Sequence, residues 1–309
     1  MMRHLAVVAL AVTILAGLIP DAGKAAARRY VRIGHYQCEC KQGDFEGSLK
    51  TVLKGLELAA EAKLDIVSFP ESLLTGYFAS EEGTRANCFE IDSPRIKKLL
   101  RETARFESLF MVGFNELRDD KLYNTVVVVE KGKLLGRYSK AMPCFHFFTP
   151  GREFPVFEKH GLKFGVVICA DGGYIEPVRI LALKGAQLIF APHYNFISRP
   201  VKHYQMVRND HVARAVENGV YFVRGNTVDS KREVEGLGRG GCSYGYGDSY
   251  ILNPNGEIVA AAGLYHEYLM IYNLDLQKKH RSRHATKSLK SAVDLREIFN
   301  ATLDEASKK

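Results

Sequence analysis

The sequence of 309 residues predicts an α/β fold, and two observations favour this class. Short apolar runs with the length of buried strands alternate with segments whose apolar residues recur at helical spacing. Two pairs of predicted strands are joined by turn signals typical of hairpins, Lys131-Gly132 and Asn253-Pro254-Asn255-Gly256. This mixture fits two sheets between layers of helices, and a single doubly wound sheet fits it as well.

The predicted elements follow one another in a regular order. The first helix, 48–63, shows the helical pattern clearly, with leucine and valine side chains three and four positions apart. The other predicted helices are 93–106, 176–185 and 201–218, and a polar, helical tail follows the last strand. The predicted strands are 30–36, 64–69, 109–114, 125–130, 133–138, 164–168, 187–192, 220–225, 249–252, 257–261 and 268–274.

The first residues do not belong to the predicted fold. A short basic start precedes an apolar stretch, 5–19, and a run of alanines near position 26, in the pattern of a secretory signal peptide. An uncleaved N-terminal anchor is the alternative. We expect an exported protein, periplasmic or secreted, without a stable membrane span after cleavage. The expected segments are the signal peptide (1–27), a folded domain (28–285) and a C-terminal tail (286–309).

The net charge of +8 does not indicate a nucleic-acid partner. Part of it lies in the N-terminal segment and part in the basic run 278–284, where no aromatic residues are interleaved. Six cysteines permit disulfides in an exported protein, but their spacing matches no metal-binding pattern. We therefore expect no nucleic acid, no metal and no cofactor.

Three apolar runs each end in a side chain able to do chemistry. Glu71 follows 65–70, Lys140 follows 133–139 and Cys169 follows 164–168. If the three strands are parallel neighbours, a carboxylate, an ammonium and a thiol meet at one sheet edge, where α/β proteins bind ligands. A nucleophilic Cys169 must remain reduced, so we expect it to be unpaired.

Together these groups are able to transfer an acyl group without a metal. Glu71 can take the thiol proton, and the Lys140 ammonium can favour the thiolate and then stabilise an oxyanion. The backbone N–H of Ala170 is a second oxyanion donor. Glu71 would next protonate the leaving amine and activate water to hydrolyse the thioester. Taken singly, each residue also has a structural interpretation, as a buried small hydrophobe, a helix start or a surface charge.

The segments around these residues resemble the nitrilase superfamily, the carbon–nitrogen hydrolases with a Glu-Lys-Cys triad. The likeness extends from about Val31 to Leu274 and implies a four-layer α-β-β-α sandwich that forms homodimers or larger homo-oligomers. It also implies Glu71 as general base, Lys140 as oxyanion stabiliser and Cys169 as nucleophile. The matching segments are Phe69-Pro70-Glu71-Ser72-Leu73-Leu74-Thr75-Gly76-Tyr77, Gly136-Arg137-Tyr138-Ser139-Lys140 and Gly165-Val166-Val167-Ile168-Cys169-Ala170-Asp171.

Two details bear on the subclass. Ala170-Asp171 follows the cysteine where nitrilases proper usually have Trp-Glu, and this resembles the amidase branch, which favours a linear amide or an N-carbamoyl compound over a nitrile. Many relatives also carry a second glutamate after the lysine, but the stretch 141–149 contains no acidic residue. Cys144 and His146 are the candidates for that place, and His146 is alternatively a rim residue among phenylalanines.

Other polar residues close to the predicted strand ends are candidates for substrate binding. Two tyrosines follow the catalytic turns, and a histidine and an asparagine follow the strand that ends near Pro192. Hydrogen bonding within turns is their alternative role. The expected substrate-binding residues are Tyr77, His146, Ala170, Tyr174, His193 and Asn195.

The leading hypothesis is an exported hydrolase that cleaves a non-peptide C–N bond of a small amide-type substrate through a Cys169 thioester. One alternative keeps the triad but passes the acyl group to an amine, as an acyltransferase does. The other is a catalytically decayed binding protein on the same fold, for which the missing second glutamate is the one supporting observation.

Overall fold

The computed structural model describes residues 28–197, 200–229, 244–278 and 283–307. The predicted signal peptide (1–27) and Cys242 lie outside this part of the chain. Among the described residues, none of the helices combines the length and the apolar character that crossing a membrane requires.

The amino-terminal half of the chain builds most of one sheet and the helices that cover it. Strands β1, β2 and β3 run parallel, whereas β3, β4 and β5 form an antiparallel meander. The turn between β4 and β5 is the predicted one, because Lys131 and Gly132 both have positive φ angles, as a tight type I′ hairpin turn requires. The elements are β1 (Tyr30–Gln37), α1 (Phe45–Glu61), β2 (Ile66–Ser68), α2 (Glu81–Asn87), α3 (Pro94–Thr103), β3 (Leu109–Arg118), β4 (Lys121–Glu130) and β5 (Lys133–Ser139).

The second half builds the second sheet and its helices. The elements are β6 (Val156–Lys159), β7 (Leu162–Val166), a 3-10 helix (Cys169–Gly173), α4 (Ile175–Leu183), β8 (Leu188–Pro192), β9 (Phe196–Ile197), α5 (Pro200–Asn218), β10 (Tyr221–Gly225), β11 (Val228–Asp229), β12 (Tyr244–Tyr246), β13 (Tyr250–Leu252), β14 (Ile258–Ala261), β15 (Tyr268–Asp275), α6 (Arg283–Asp294) and α7 (Arg296–Ala306). The sheets have the strand orders β15-β1-β2-β3-β4-β5 and β14-β13-β10-β8-β7-β6, and β11, β12 and β9 form a small third sheet.

Three apolar cores show that the layers are stacked as helix, sheet, sheet and helix. Phe110 of β3 lies in the core shared with α1 and α3, and the next residue, Met111, lies in the core between the two sheets. Strand β10 repeats this alternation, with Val223 between the sheets and Phe222 in the core shared with α4 and α5. Because central strands are buried on both faces, apolar residues dominate them. The predicted α/β fold, a four-layer α-β-β-α sandwich, is confirmed.

The strands that lead to the three candidate catalytic residues are not neighbours in one sheet, contrary to the arrangement considered from the sequence. Strands β2 and β5 belong to the first sheet with β3 and β4 between them, and β7 belongs to the second sheet. Strand β5 nevertheless runs in the direction of β2, because two antiparallel steps separate it from β3.

Side-chain caps mark where the helices begin. The Asp44 carboxylate accepts a hydrogen bond from the backbone of Gly47 at the start of α1, and Ser93 caps α3 directly before Pro94. Helix α2 also begins after a capping serine, Ser80, yet it was not predicted. It has seven residues and a single buried side chain, so it carries no apolar periodicity.

The expected boundary between domain and tail, after residue 285, falls inside α6. Leu289 of this helix packs against the core of the second sheet, and the Arg179 guanidinium donates a hydrogen bond to the Ser288 carbonyl at 2.8 Å. Helix α6 therefore belongs to the packed body, whereas α7 has no buried residue.

Replacing Phe190, which is fully buried between the two sheets, tests the inter-sheet core. Phe190→Ala leaves a cavity and should lower the free energy of unfolding by about 3–5 kcal/mol. Leu134→Ala, at an exposed position on β5, should change it by no more than about 0.5 kcal/mol. Urea unfolding followed by circular dichroism measures both values, and equal losses would contradict this description of the core.

Candidate active site

Glu71 and Lys140 form a buried ion pair beyond the ends of β2 and β5. Lys140 Nζ lies 2.8 Å from Glu71 Oε1, and each side chain is 1% exposed. The backbone fixes both residues, because the Lys140 N–H donates to the Asn124 carbonyl at 2.8 Å and the Glu71 N–H donates to the His193 carbonyl at 3.3 Å. Neither charge is stable in this environment without the other.

Asn124 leaves one oxygen of the Glu71 carboxylate without a partner. The Asn124 side-chain nitrogen donates to Glu71 Oε1 at 2.7 Å, which is the same oxygen that Lys140 contacts. Glu71 Oε2 is buried and has no hydrogen-bond partner among the described residues. This oxygen is therefore available to accept a proton.

Cys169 stands at a strained turn between β7 and the 3-10 helix. Its φ angle is +46°, in the left-handed region that side chains with a Cβ rarely adopt. Such strain costs about 1–3 kcal/mol and persists only where the surroundings hold it. Asp171 supplies this support from two residues away, because its Oδ2 accepts a hydrogen bond from the Ile168 N–H at 2.9 Å.

Asp171 also connects the turn to the first sheet. Its Oδ2 accepts a hydrogen bond from the Tyr138 hydroxyl, and its Oδ1 accepts one from the Met142 N–H, both at 2.7 Å. Tyr138 lies on β5 and Met142 follows Lys140 by two residues. One carboxylate thus fixes the Cys169 turn relative to Lys140, a role that the sequence analysis missed although Asp171 belongs to the motif.

The Cys169 thiol is protonated in the resting site. Burial raises its pKa, the charge of Glu71 raises it further, and Lys140 offsets only part of this effect. The sequence analysis expected Lys140 to favour the thiolate. In the resting site, burial and the charge of Glu71 outweigh this effect of Lys140 on the thiol pKa. Burial also disfavours the Lys140 ammonium, but the attraction of Glu71 prevails and the pKa of Lys140 stands well above its usual value.

Cys169 opens into a cavity of about 350 Å³, whose walls come from the 3-10 helix, the segment after β8 and helix α5. Burial holds the pKa values of His193 and His211 well below the usual range, so both imidazoles are neutral near pH 7. Desolvation raises the pKa of Asp210. The lining residues are Cys144, Cys169, Ala170, Gly173, Tyr174, His193, Asn195, His203, Met206, Val207, Asp210 and His211.

Four of the six predicted substrate-binding residues line this cavity. Ala170 and His193 form part of its wall, and Tyr174 is half-exposed at its edge. The Asn195 side-chain nitrogen donates to the Cys169 sulfur at 3.5 Å. A fifth, Tyr77, is buried beside the ion pair, with the Lys140 ammonium 6.0 Å from the centre of its ring.

The two candidates for the place of the second glutamate differ in position. Cys144 is exposed and lines the cavity. His146 is exposed but does not belong to the cavity lining, and its ring packs edge-on against Phe147 with 5.9 Å between centroids. This geometry favours the interpretation of His146 as a rim residue.

Several residues near the site were not predicted. Asn124 stands directly before the predicted strand 125–130, and no local pattern distinguished it. Helix α5 contributes five residues to the cavity lining, 203, 206, 207, 210 and 211. Their helical spacing places them on one face, and this spacing was the available signal in the sequence. The described residues contain no group of three or more histidine, cysteine, aspartate or glutamate side chains arranged to hold a metal ion.

The family model for carbon-nitrogen hydrolases matches residues 32–283, and the chain belongs to this family. The chain is thus a carbon–nitrogen hydrolase, and its resemblance to the nitrilase superfamily is confirmed.

Two curated relatives show the range of the family. An N-carbamoylputrescine amidase from Solanum tuberosum is 28% identical over 275 residues, which cover 83% of this chain and 90% of the amidase. A glutamine-dependent NAD(+) synthetase from Thermotoga maritima is 28% identical over 253 residues, which cover 77% of this chain but 41% of the synthetase. The chain therefore spans less than half of that longer relative. The solved structure of a carbon-nitrogen hydrolase from Helicobacter pylori G27 matches with a TM-score of 0.72 and 25% identity, over 85% of this chain and 94% of that one.

The pH dependence of alkylation tests the state of the Cys169 thiol. Because its pKa is raised, labelling by iodoacetamide should be slow at pH 7 and rise roughly tenfold per pH unit up to pH 10. A Cys144→Ala background removes the other thiol in the cavity, and peptide mass spectrometry reports the rate at Cys169 alone. A rate that is already constant below pH 8 would show a preformed thiolate and contradict this assignment.

Proposed function

We propose that this chain hydrolyses a linear amide or an N-carbamoyl compound through a covalent thioester on Cys169. The observation that carries the proposal is the buried Glu71–Lys140 ion pair, whose charges act on the protonated Cys169 thiol. Within this pair, Glu71 Oε2 has no hydrogen-bond partner among the described residues. These groups supply the proton acceptor, the fixed positive charge and the nucleophile that acyl transfer needs.

In the first half-reaction, Glu71 Oε2 accepts the thiol proton while Cys169 Sγ attacks the carbonyl carbon. The electron pair of the carbonyl moves to its oxygen, and the Lys140 ammonium and the Ala170 backbone N–H stabilise the oxyanion. The C–N bond then breaks, and protonated Glu71 returns its proton to the leaving amine, which departs as ammonia from a primary amide.

In the second half-reaction, Glu71 accepts a proton from water as the water oxygen adds to the thioester carbon. The C–S bond breaks, the acid product leaves, and the Cys169 sulfur recovers its proton from Glu71. The sum of both halves consumes one water and leaves the site unchanged. No step needs a metal, so a chelator should not change the rate.

Two observations support an amide rather than a nitrile. Ala170-Asp171 follows the nucleophile in the pattern that resembles the amidase branch, and the curated amidase described above is similar along nine-tenths of its length. Ala170 and Gly173 both line the cavity, and a single methyl group and a bare Cα leave room beside the sulfur for a planar amide.

Substitution of the candidate residues tests the proposal. Cys169→Ala should lower ammonia release by roughly a thousandfold or more, because it removes the bond-forming atom. Glu71→Gln should lower it by about 10²–10⁴-fold, because it removes the proton acceptor. The assay measures ammonia from a panel of short amides, N-carbamoyl amino acids and nitriles.

Cys88→Ala is the matched control, because this thiol lies at the end of α2, away from the cavity. Wild-type rates in folded Cys169→Ala would refute the thioester mechanism. If the folded wild-type protein releases ammonia from an amide only when an amine is added, and the acyl group is found on that amine, it acts as an acyltransferase instead.

We further propose that the protein is exported and acts as a homodimer or a larger homo-oligomer. The support for export is the basic start, the apolar stretch 5–19 and the alanines near position 26. The support for assembly is the resemblance to the nitrilase superfamily.

Cleavage of the signal peptide gives a direct test of export. Protein recovered from outside the cytoplasm should begin near Ala27 or Arg28 in N-terminal sequencing. A variant with Leu10→Arg in the apolar stretch should remain uncleaved inside the cell, because a charge interrupts the segment that the export machinery recognises. Exported protein that retains Met1 would contradict cleavage.

A further inference from the structure

A fully buried arginine lies behind the wall of the cavity. Arg224, on β10, is 0% exposed, yet it forms no ion pair with any described residue. Its Nη1 donates to the carbonyls of Gly247 and Asp248, and its Nη2 donates to the Tyr246 hydroxyl and to Asn195 Oδ1, both at 2.9 Å. Burying a guanidinium on neutral partners alone is costly. One of these partners, Asn195, also contacts the Cys169 sulfur.

The contact with Arg224 determines which way the Asn195 amide points. A guanidinium has only donors, so the atom of Asn195 that faces it must be the carbonyl oxygen. The amide nitrogen then faces the opposite direction, where it donates to the Cys169 sulfur at 3.5 Å. A flipped amide would bring its N–H groups against those of Arg224 and its oxygen against the sulfur. The Asn195 backbone N–H, which donates to Asn226 Oδ1 at 2.9 Å, holds the segment in place.

The sulfur needs this donor at one moment of the reaction. When the thiol proton moves to Glu71, negative charge appears on Cys169, and a correctly oriented N–H stabilises it in a site that water does not solvate well. The positive charge of Arg224 polarises the amide and strengthens the donor. Lys140 acts on the same sulfur through its own charge.

We propose that Arg224 is a positioning residue that locks the Asn195 amide so that its N–H stabilises the Cys169 sulfur as it becomes a thiolate. The inference rests on the proposed function only in taking Cys169 as the nucleophile. The titratable groups whose charges act on Cys169 are Glu71, Lys140, Cys144, Tyr77 and Tyr246.

Alkylation by iodoacetamide across pH 6–11 tests the proposal on the full chain without substrate. In Asn195→Asp, the new carboxylate can pair with Arg224, so the contact is kept while the sulfur loses its donor and faces an oxygen. Labelling of Cys169 at a fixed pH should fall at least about tenfold, which corresponds to one unit of thiol pKa. Arg224→Met should also lower the rate of Cys169 labelling, because the Asn195 amide is then free to flip.

Two further variants separate positioning from a structural role. Arg224→Lys keeps the charge and a donor and should recover part of the labelling rate that Arg224→Met loses. Arg179→Met removes a hydrogen-bonding arginine from α4, whose contact is with α6, and should leave the Cys169 profile unchanged. Circular dichroism confirms that each variant is folded before it is labelled.

The result that would overturn the proposal is a folded Asn195→Asp protein whose Cys169 labelling profile coincides with that of the wild type. Arg224→Met and Asn195→Asp act through one contact, so their combined effect should be smaller than the sum of the two; strict additivity would also overturn it. Because labelling needs no turnover, these outcomes are independent of whether any amide in the panel is hydrolysed.

Discussion

The buried Glu71–Lys140 ion pair is the interaction on which the rest of the site depends. Breaking a buried pair by removing one member costs about 3–5 kcal/mol in general, because the remaining charge is left without compensation. Asn124 on β4 holds both members of the pair in place. Its backbone carbonyl accepts a hydrogen bond from the Lys140 N–H, and its side chain donates one to Glu71. Strand β4 therefore connects the ends of β2 and β5, which are not neighbours in the sheet.

Cys169, the proposed nucleophile, follows a strand of the other sheet, and a second carboxylate, that of Asp171, fixes its turn relative to the ion pair. Asp171 holds the strained Cys169 turn through Ile168 and reaches across the inter-sheet core to Tyr138. The strain at Cys169 is thus sustained by the packing of one sheet on the other. The four-layer sandwich matters for chemistry because the packing of its two sheets brings the end of β7 against the end of β5.

The sequence predicted the residues of the site better than their arrangement. Glu71, Lys140 and Cys169 were found because each ends an apolar run, which is a local signal. Which strands would be neighbours depends on pairings between distant segments, and those leave no local trace. Asn124 and Arg224 were missed for the same reason, because their partners lie 53 and 29 positions away. The fold class was predictable because alternation of apolar runs and helical patterns extends along the whole domain.

The proposed mechanism moves a proton within a buried site without changing the number of buried charges. The charges of Glu71 and Lys140, both buried, act on the Cys169 sulfur with opposite effects on its pKa. In the proposed proton transfer from Cys169 to Glu71, the carboxylate loses its negative charge and the sulfur gains one, so the number of buried charges does not change. The cost of desolvation is then similar before and after the transfer. The protein must then hold the charges in position, and fixed hydrogen-bond donors around the sulfur serve this purpose.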